Sequence, residues 1–226
     1  MPKRSRNGGE TAADRAYEWI KARVVSCALR PGDRLDPEEF SKEPELGVSA
    51  TPVREALNRL FAEELIERGP RLGYVVTTPT AEAASGLYRS NLALLSAALR
   101  PFDDGHIPPP LRLRPPPAEP TPNDDEAAVL TQRTRELFRR IAALSGETVI
   151  VRYVDNISDR LSFIRHLEHE LIDGVDQQLA TLEELCKPKR LGELESALVN
   201  YHAVRLGPVV EFLGRGLVPA FRRHAS

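Results

Sequence analysis

Cysteine is nearly missing from this chain: Cys27 and Cys186 are the only two in 226 residues. They stand far apart and form no C-x-x-C pair, which counts against both a thiol-ligated zinc site and a disulfide scaffold. Long apolar runs are missing too. No stretch approaches the ~18 uninterrupted apolar residues of a membrane helix. The basic start, Met1-Pro2-Lys3-Arg4-Ser5-Arg6-Asn7, is not followed by the apolar core of a signal peptide. The expectation is a cytoplasmic protein with no membrane partner. There is also no nucleophile motif, phosphate loop or complete metal-ligand cluster, so neither enzymatic activity nor a cofactor is expected. A charge excess is lacking as well, with a formal net charge of -2. That does not exclude nucleic acid, because a DNA binder stays near neutral overall when its basic groups cluster on one face.

What is present is a globular composition, 41% hydrophobic and 28% charged, with room for one large domain or two modest ones. Ala13 to Val25 has helical periodicity, with Ala16, Tyr17, Ile20 and Val24 on one stripe. Pro31-Gly32 closes it as a turn. Pro37 to Lys42 reads as a short helix, with Asp36 as its N-cap and acids in its first turn.

Gly47 then suits a tight turn, Ser49 can cap the following helix, and Pro52 belongs in a first helical turn. Val53, Leu57 and Leu60 make its apolar stripe. Two short helices joined by a glycine-containing turn outline a helix-turn-helix. Leu65-Ile66-Glu67-Arg68 and Tyr74-Val75-Val76-Thr77 flank Gly69-Pro70-Arg71-Leu72-Gly73, a β-hairpin with an arginine at its tip. Helix, helix-turn-helix, hairpin is the winged-helix order.

Beyond Thr80 the texture is helical. Ala81 to Leu99 is rich in alanine and leucine; Pro101 to Pro122 is too proline-dense for a helix and reads as an extended surface loop. Asp124 to Leu144 resumes the periodicity, Ser145-Gly146 breaks it, and Thr148 to Ile172 continues with Val151, Val154, Ile157, Leu161, Ile164 and Leu167 as an apolar face. Two or three helices follow, through Leu179, Leu185, Leu194, Leu198 and Val210. The expected fold is mainly α: a basic arm over residues 1–11, a winged helix-turn-helix with a small hairpin wing over 12–79, and an all-α bundle over 80–226 that binds an effector and dimerises.

Ala13 to Thr78 resembles the DNA-binding domain of the GntR family of bacterial regulators. The likeness is carried by Leu29-Arg30-Pro31-Gly32-Asp33-Arg34-Leu35, by Leu46-Gly47-Val48-Ser49 with Thr51-Pro52-Val53-Arg54-Glu55-Ala56-Leu57, and by Gly73-Tyr74-Val75-Val76. The helical remainder is similar to the FadR subgroup, in particular to its FCD-type effector domains. The resemblance implies a homodimer that binds palindromic double-stranded operator DNA under control of a small-molecule effector. Candidate DNA-contacting positions are Ser49, Ala50, Thr51, Pro52, Arg54 and Arg59 on the second helix, with Arg68, Arg71 and Gly73 on the wing. An arginine here can read guanine, and guanidinium on a wing suits the negative minor groove. Ala50 departs from the family, which commonly has arginine there, and Glu38, Glu39, Glu43 and Glu45 would repel the DNA backbone unless they face away.

Many FCD-type domains bind a divalent metal through one aspartate and three histidines. The first two positions correspond here to Arg135 and Arg139, which cannot be ligands because guanidinium has no free lone pair. His202 resembles the last histidine, and Glu168-His169 resembles the pair that carries the other. The usual metal site is therefore expected to be lost. A carboxylate effector would then need cations, and the candidates are Arg89, Arg135 and Arg139, with His169 and His202 beside them. Plainer readings stand next to these. Arg135 and Arg139 can be exposed; Arg165, Glu168 and Glu170 can make His166 and His169 part of a solvated face; His202 can be a hydrogen-bonded core residue. Arg59 can pair with Glu55 or Glu63, and Arg68 and Arg71 can simply keep a turn soluble. The alternative to an effector-controlled regulator is a DNA-binding protein whose bundle only dimerises.

Overall fold

The computed structural model describes residues 10–69, 73–100, 109–113 and 126–214; the side chains of His169 and Pro188 are not described. Most of the basic arm, the wing tip with Arg71 and most of the proline-rich segment lie outside the described residues. The chain divides into two compact units between Thr78 and Pro79.

In the first unit, α1 (Ala12–Val25) starts at a capping box: the Thr11 side chain accepts from the Asp14 N–H, and the Asp14 carboxylate accepts from the Thr11 N–H. Its stripe of Ala16, Tyr17, Ile20 and Val24 is buried. β1 (Arg34–Leu35) follows, then α2 (Pro37–Phe40), whose N-cap Asp36 accepts from the Glu38 N–H. The turn after α2 contains Gly47 at φ +59, the left-handed region. α3 (Ala50–Ala62) turns Val53, Ala56, Leu57 and Leu60 inward against α1. β2 (Ile66–Arg68) and β3 (Tyr74–Val76) form the hairpin. Ser49 occupies the N-cap of α3 as expected, but its hydroxyl makes no capping bond.

The periodicity did not disclose β1, because two residues carry no period. It pairs antiparallel with β3 (Arg34 with Val75, Leu35 with Tyr74), giving a three-stranded sheet in the order β1-β3-β2. The Pro31-Gly32 turn continues this pairing: Gly32 N–H donates to the Val76 carbonyl at 2.9 Å, and Val76 N–H to that of Asp33 at 3.0 Å. Leu35, Ile66, Tyr74 and Val76 join the helical residues in one core.

The second unit is helical throughout its described residues. α4 (Ala81–Ala98) is capped by Thr80, and α5 (Glu126–Ala143) lies against it and against α6 (Thr148–Arg160). The stretch expected as one helix to Ile172 is two. α6 ends at Arg160, Leu161 caps both segments, and α7 (Ser162–Leu171) begins at once. No glycine or proline marks this junction and the apolar pattern runs through it, so the pattern alone cannot reveal the break. α8 (Val175–Leu185), a 3₁₀ turn at Pro188–Arg190, α9 (Leu191–Leu206) and α10 (Pro208–Gly214) complete the unit. The main core joins α4, α5, α6, α8 and α9 through residues such as Leu95, Leu137, Phe138, Ile141, Val154, Leu179 and Leu198. A smaller cluster of Ala84, Tyr88, Ile157, Leu161, Ile164 and Val209 packs α7 and α10 onto α4 and α6.

Candidate nucleic-acid interface and buried polar cluster

Because α3 buries one stripe, its remaining positions face outward. Ser49, Thr51, Arg54 and Arg59 are exposed, and Ala50 and Pro52 are partly covered. Arg54 donates to Glu38 at 2.6 Å, so one acid of α2 is held by the cation beside it. Glu45 accepts from Arg23 at 2.9 Å, and the Arg23 guanidinium lies 3.5 Å from the Trp19 ring centroid. Two of the four acids that would repel DNA are thus absorbed in pairs.

Arg59 points elsewhere. It pairs with Asp14 of α1 at 2.8 Å, not with Glu55 or Glu63, and its guanidinium lies 4.0 Å from the Tyr17 ring centroid. Hydrogen bonds from Thr11, then from Arg59, hold the Asp14 carboxyl below its usual range. Glu63 instead accepts from Tyr17 and Lys21, tying the end of α3 to α1. Burial pushes the Tyr17 phenol up to about 12, so it stays a donor at any ordinary pH. On the wing, Arg68 lies 4.7 Å from the Tyr74 ring centroid and 5.1 Å from that of Phe61. Gly69, at the edge of the hairpin, has no room for a side chain, since an added Cβ would meet Val75 Cγ1 at 2.8 Å. Gly73 is partly covered, and Arg71 lies outside the described residues.

In the second unit the polar residues gather inside. Glu168, on α7, is 1% exposed and both its oxygens are engaged. Tyr88 of α4 donates to Oε1, and Arg205 Nε of α9 donates to Oε2 at 2.8 Å. Arg205 is fully buried, donates through Nη1 to Gln178 Oε1 and the Tyr201 carbonyl, and stacks 3.3 Å from the Tyr201 ring centroid. Burial and the adjacent Glu168 charge push the Tyr88 phenol far up, so it remains protonated.

His202 is 1% exposed and its ring stacks on Phe138 at 5.6 Å. Nδ1 lies 2.7 Å from the Leu198 carbonyl and therefore carries the proton; Nε2 faces the Asn91 amide at 3.0 Å. An unprotonated Nε2 needs a donor. The Asn91 amide nitrogen, otherwise buried without a partner, supplies one when the amide is turned toward the ring. Burial holds the imidazole down to about 3.

Of the sequence candidates whose side chains are described, His202 belongs to this cluster. Arg89 is exposed on α4, one residue along from the buried Tyr88 and so turned away from it. Arg135 and Arg139 are half-buried and pair with α6, Arg135 Nε with Asp159 at 2.8 Å and Arg139 Nε with Asp155 at 3.3 Å. Both guanidinium groups are thus engaged by acids of α6. The His169 side chain lies outside the description. Arg165 and Glu168, read from sequence as a solvated face, are buried instead at 4% and 1% exposure. The signal was there: Leu161, Ile164, Arg165 and Glu168 share the i, i+3, i+4, i+7 stripe, and Leu194, Leu198, Tyr201 and Arg205 share an i, i+4, i+7, i+11 stripe on α9. Among the described residues, none form a site that fits the metal many FCD-type domains carry. Both His202 nitrogens are committed, and the described residues hold no group of three or more His, Cys, Asp or Glu arranged for an ion.

Residues 12–76 match the model of bacterial regulatory proteins of the gntR family. The match and the winged helix agree on a DNA-binding domain of the gntR type over these residues, which a helical second unit follows. The chain is 28% identical to the Nta operon transcriptional regulator of Aminobacter aminovorans, over 90% of this chain and 97% of that protein. It is 24% identical to the HTH-type transcriptional regulator YdhC of Bacillus subtilis over 68% of this chain, a match spanning 60% of YdhC. In fold it is similar to a GntR regulator of Rhodococcus sp. RHA1, with TM-score 0.66, 16% identity, and coverage of 88% of this chain and 97% of that one. It is also similar to McbR/YncC of E. coli, with TM-score 0.56, 17% identity, and coverage of 89% and 98%.

Proposed function

We propose that the chain is a homodimeric, FadR-type regulator that binds a palindromic operator through its winged helix and is controlled by a small molecule received in its helical unit. The observation that carries the DNA half is the exposed start of α3 in a domain that matches the gntR family model. Ser49, Ala50, Thr51 and Pro52 would follow the phosphates, and Arg54 would read a base edge, worth roughly 1–3 kcal/mol of discrimination. Arg68 and Arg71 would approach the neighbouring minor groove, with Gly73 allowing close passage of the wing. Arg59, held by Asp14 and Tyr17, serves the α1–α3 contact and is left out of the base-reading set. A relative that regulates an operon supports the regulatory reading.

For the effector half, the support is a polar cluster built from α4, α7, α8 and α9 where a bundle that merely dimerised would need only apolar packing. The test is selection from random duplex DNA with the full chain, then a metabolite screen for loss or gain of binding to the selected site. Enrichment of a palindrome whose binding responds to a metabolite is the expected result. A palindrome that no metabolite affects would favour the bundle that only dimerises, and no enriched sequence would overturn the DNA reading.

A further inference from the structure

Arg165 stands out in this cluster. It is 4% exposed, and none of its three guanidinium nitrogens has a hydrogen-bond partner. The Phe138 ring lies beside it, its centroid 5.1 Å from the guanidinium carbon. Arginine cannot shed its charge, and a buried cation without a partner is strongly unfavourable. Among the described residues no neighbour takes the role. Both Glu168 oxygens are occupied by Tyr88 and Arg205, the His202 nitrogens are committed to Leu198 and Asn91, and the tyrosines are neutral. Among the described residues of the cluster, two cations, Arg165 and Arg205, are thus buried with one anion, Glu168, and Nη2 of Arg205 is also unpartnered. Both cations act electrostatically on His202 and Tyr201, which places them in one neighbourhood. The cluster is short of one negative charge and of acceptors for a planar fork.

We propose that the Arg165 guanidinium receives a small organic carboxylate monoanion inside the helical unit, without a metal. A carboxylate matches the fork with two parallel N–H···O bonds and supplies the missing unit of charge. The nearby Phe138 ring offers an apolar contact to the rest of such a ligand. This rests on the reading of the second unit as an effector domain and names the chemistry it selects.

The test is thermal unfolding of the full chain in chelator-treated buffer, with millimolar sodium acetate or sodium benzoate against sodium chloride at matched ionic strength. The same scans are run on Arg165→Met, which keeps an unbranched apolar stem but removes the unbalanced charge and so is expected to fold. The wild type is expected to gain several degrees in at least one carboxylate and the variant none, because only a ligand of the folded state raises Tm. Arg165→Lys, which keeps the charge and loses the fork, is expected to show a reduced gain. No gain in the wild type with either carboxylate, or an equal gain in Arg165→Met, overturns the proposal. Operator binding with saturating carboxylate is measured separately. A carboxylate that stabilises through Arg165 yet leaves DNA affinity unchanged upholds the site and sinks the effector reading.

Discussion

Arg54 and Glu38 form an ion pair in which both side chains are more than half exposed, 55% and 63%. Such pairs contribute about 0–1 kcal/mol, so a phosphate or a guanine edge displaces Glu38 without difficulty. Glu38 is then a competitor for the same guanidinium. Glu38→Gln is expected to raise operator affinity a few-fold with little change in Tm, and anisotropy titration at fixed salt checks it; lowered affinity would show that Glu38 instead positions Arg54. A different consequence follows from His202, held at about 3 when folded against 6.5 in the free side chain. The unfolded chain binds this proton first, so stability is full above pH 6.5 and is lost progressively as pH falls from there toward 3. Thermal scans across that window are expected to show a flatter decline in His202→Gln than in the wild type; parallel curves would mean that the ring is not buried neutral. His202 was legible in the sequence as a candidate core residue. Arg165 and Glu168 were not, because charged side chains in a run of Arg165, His166, Glu168, His169 and Glu170 read as solvated unless the helical phase is weighed above residue type.

At the scale of elements, helices with caps and stripes were read correctly and the weak elements were missed. α2 and α3 carry the starts read from the sequence, Asp36 with Pro37 and Ser49 with Pro52, whereas α1 was read from its stripe alone and its capping box, Thr11 with Asp14, was not. β1 has two residues and is defined only by its partner β3, and the α6–α7 break has no local breaker. Thr11→Ala removes the side-chain half of the capping box and is expected to cost about 1 kcal/mol in denaturant unfolding. A larger mark belongs to α7 and α9, which are joined by the buried pair Glu168–Arg205 at 2.8 Å with both side chains at most 2% exposed. Removing one partner leaves an uncompensated buried charge, so Glu168→Gln is expected to destabilise the protein by roughly 3–5 kcal/mol. Measured loss under about 1 kcal/mol would show that this pair is not a tie between the two helices.

For the whole molecule, the two units divide the work that the account assigns to them: an outward-facing α3 and wing in one, a charged interior in the other. The winged-helix architecture was legible because its signals are local, a turn glycine, caps and a short hairpin. The buried polar cluster was not, since Glu168 and Arg205 meet only where α7 and α9 come together. The candidate positions Arg135 and Arg139 illustrate the same limit, for their partners Asp155 and Asp159 lie on another helix. The central claim is that the start of α3 reads DNA, and its most direct test is the affinity of the full chain and of Arg54→Ala for a duplex selected by the wild type, titrated by anisotropy over a range of salt. The wild type is expected to bind the selected duplex far more tightly than random DNA, with affinity falling steeply as salt rises. Arg54→Ala, folded and of unchanged oligomeric state, is expected to lose that preference by roughly 1–3 kcal/mol, about ten- to a hundred-fold. Equal affinity of the two proteins for the selected duplex would contradict the account.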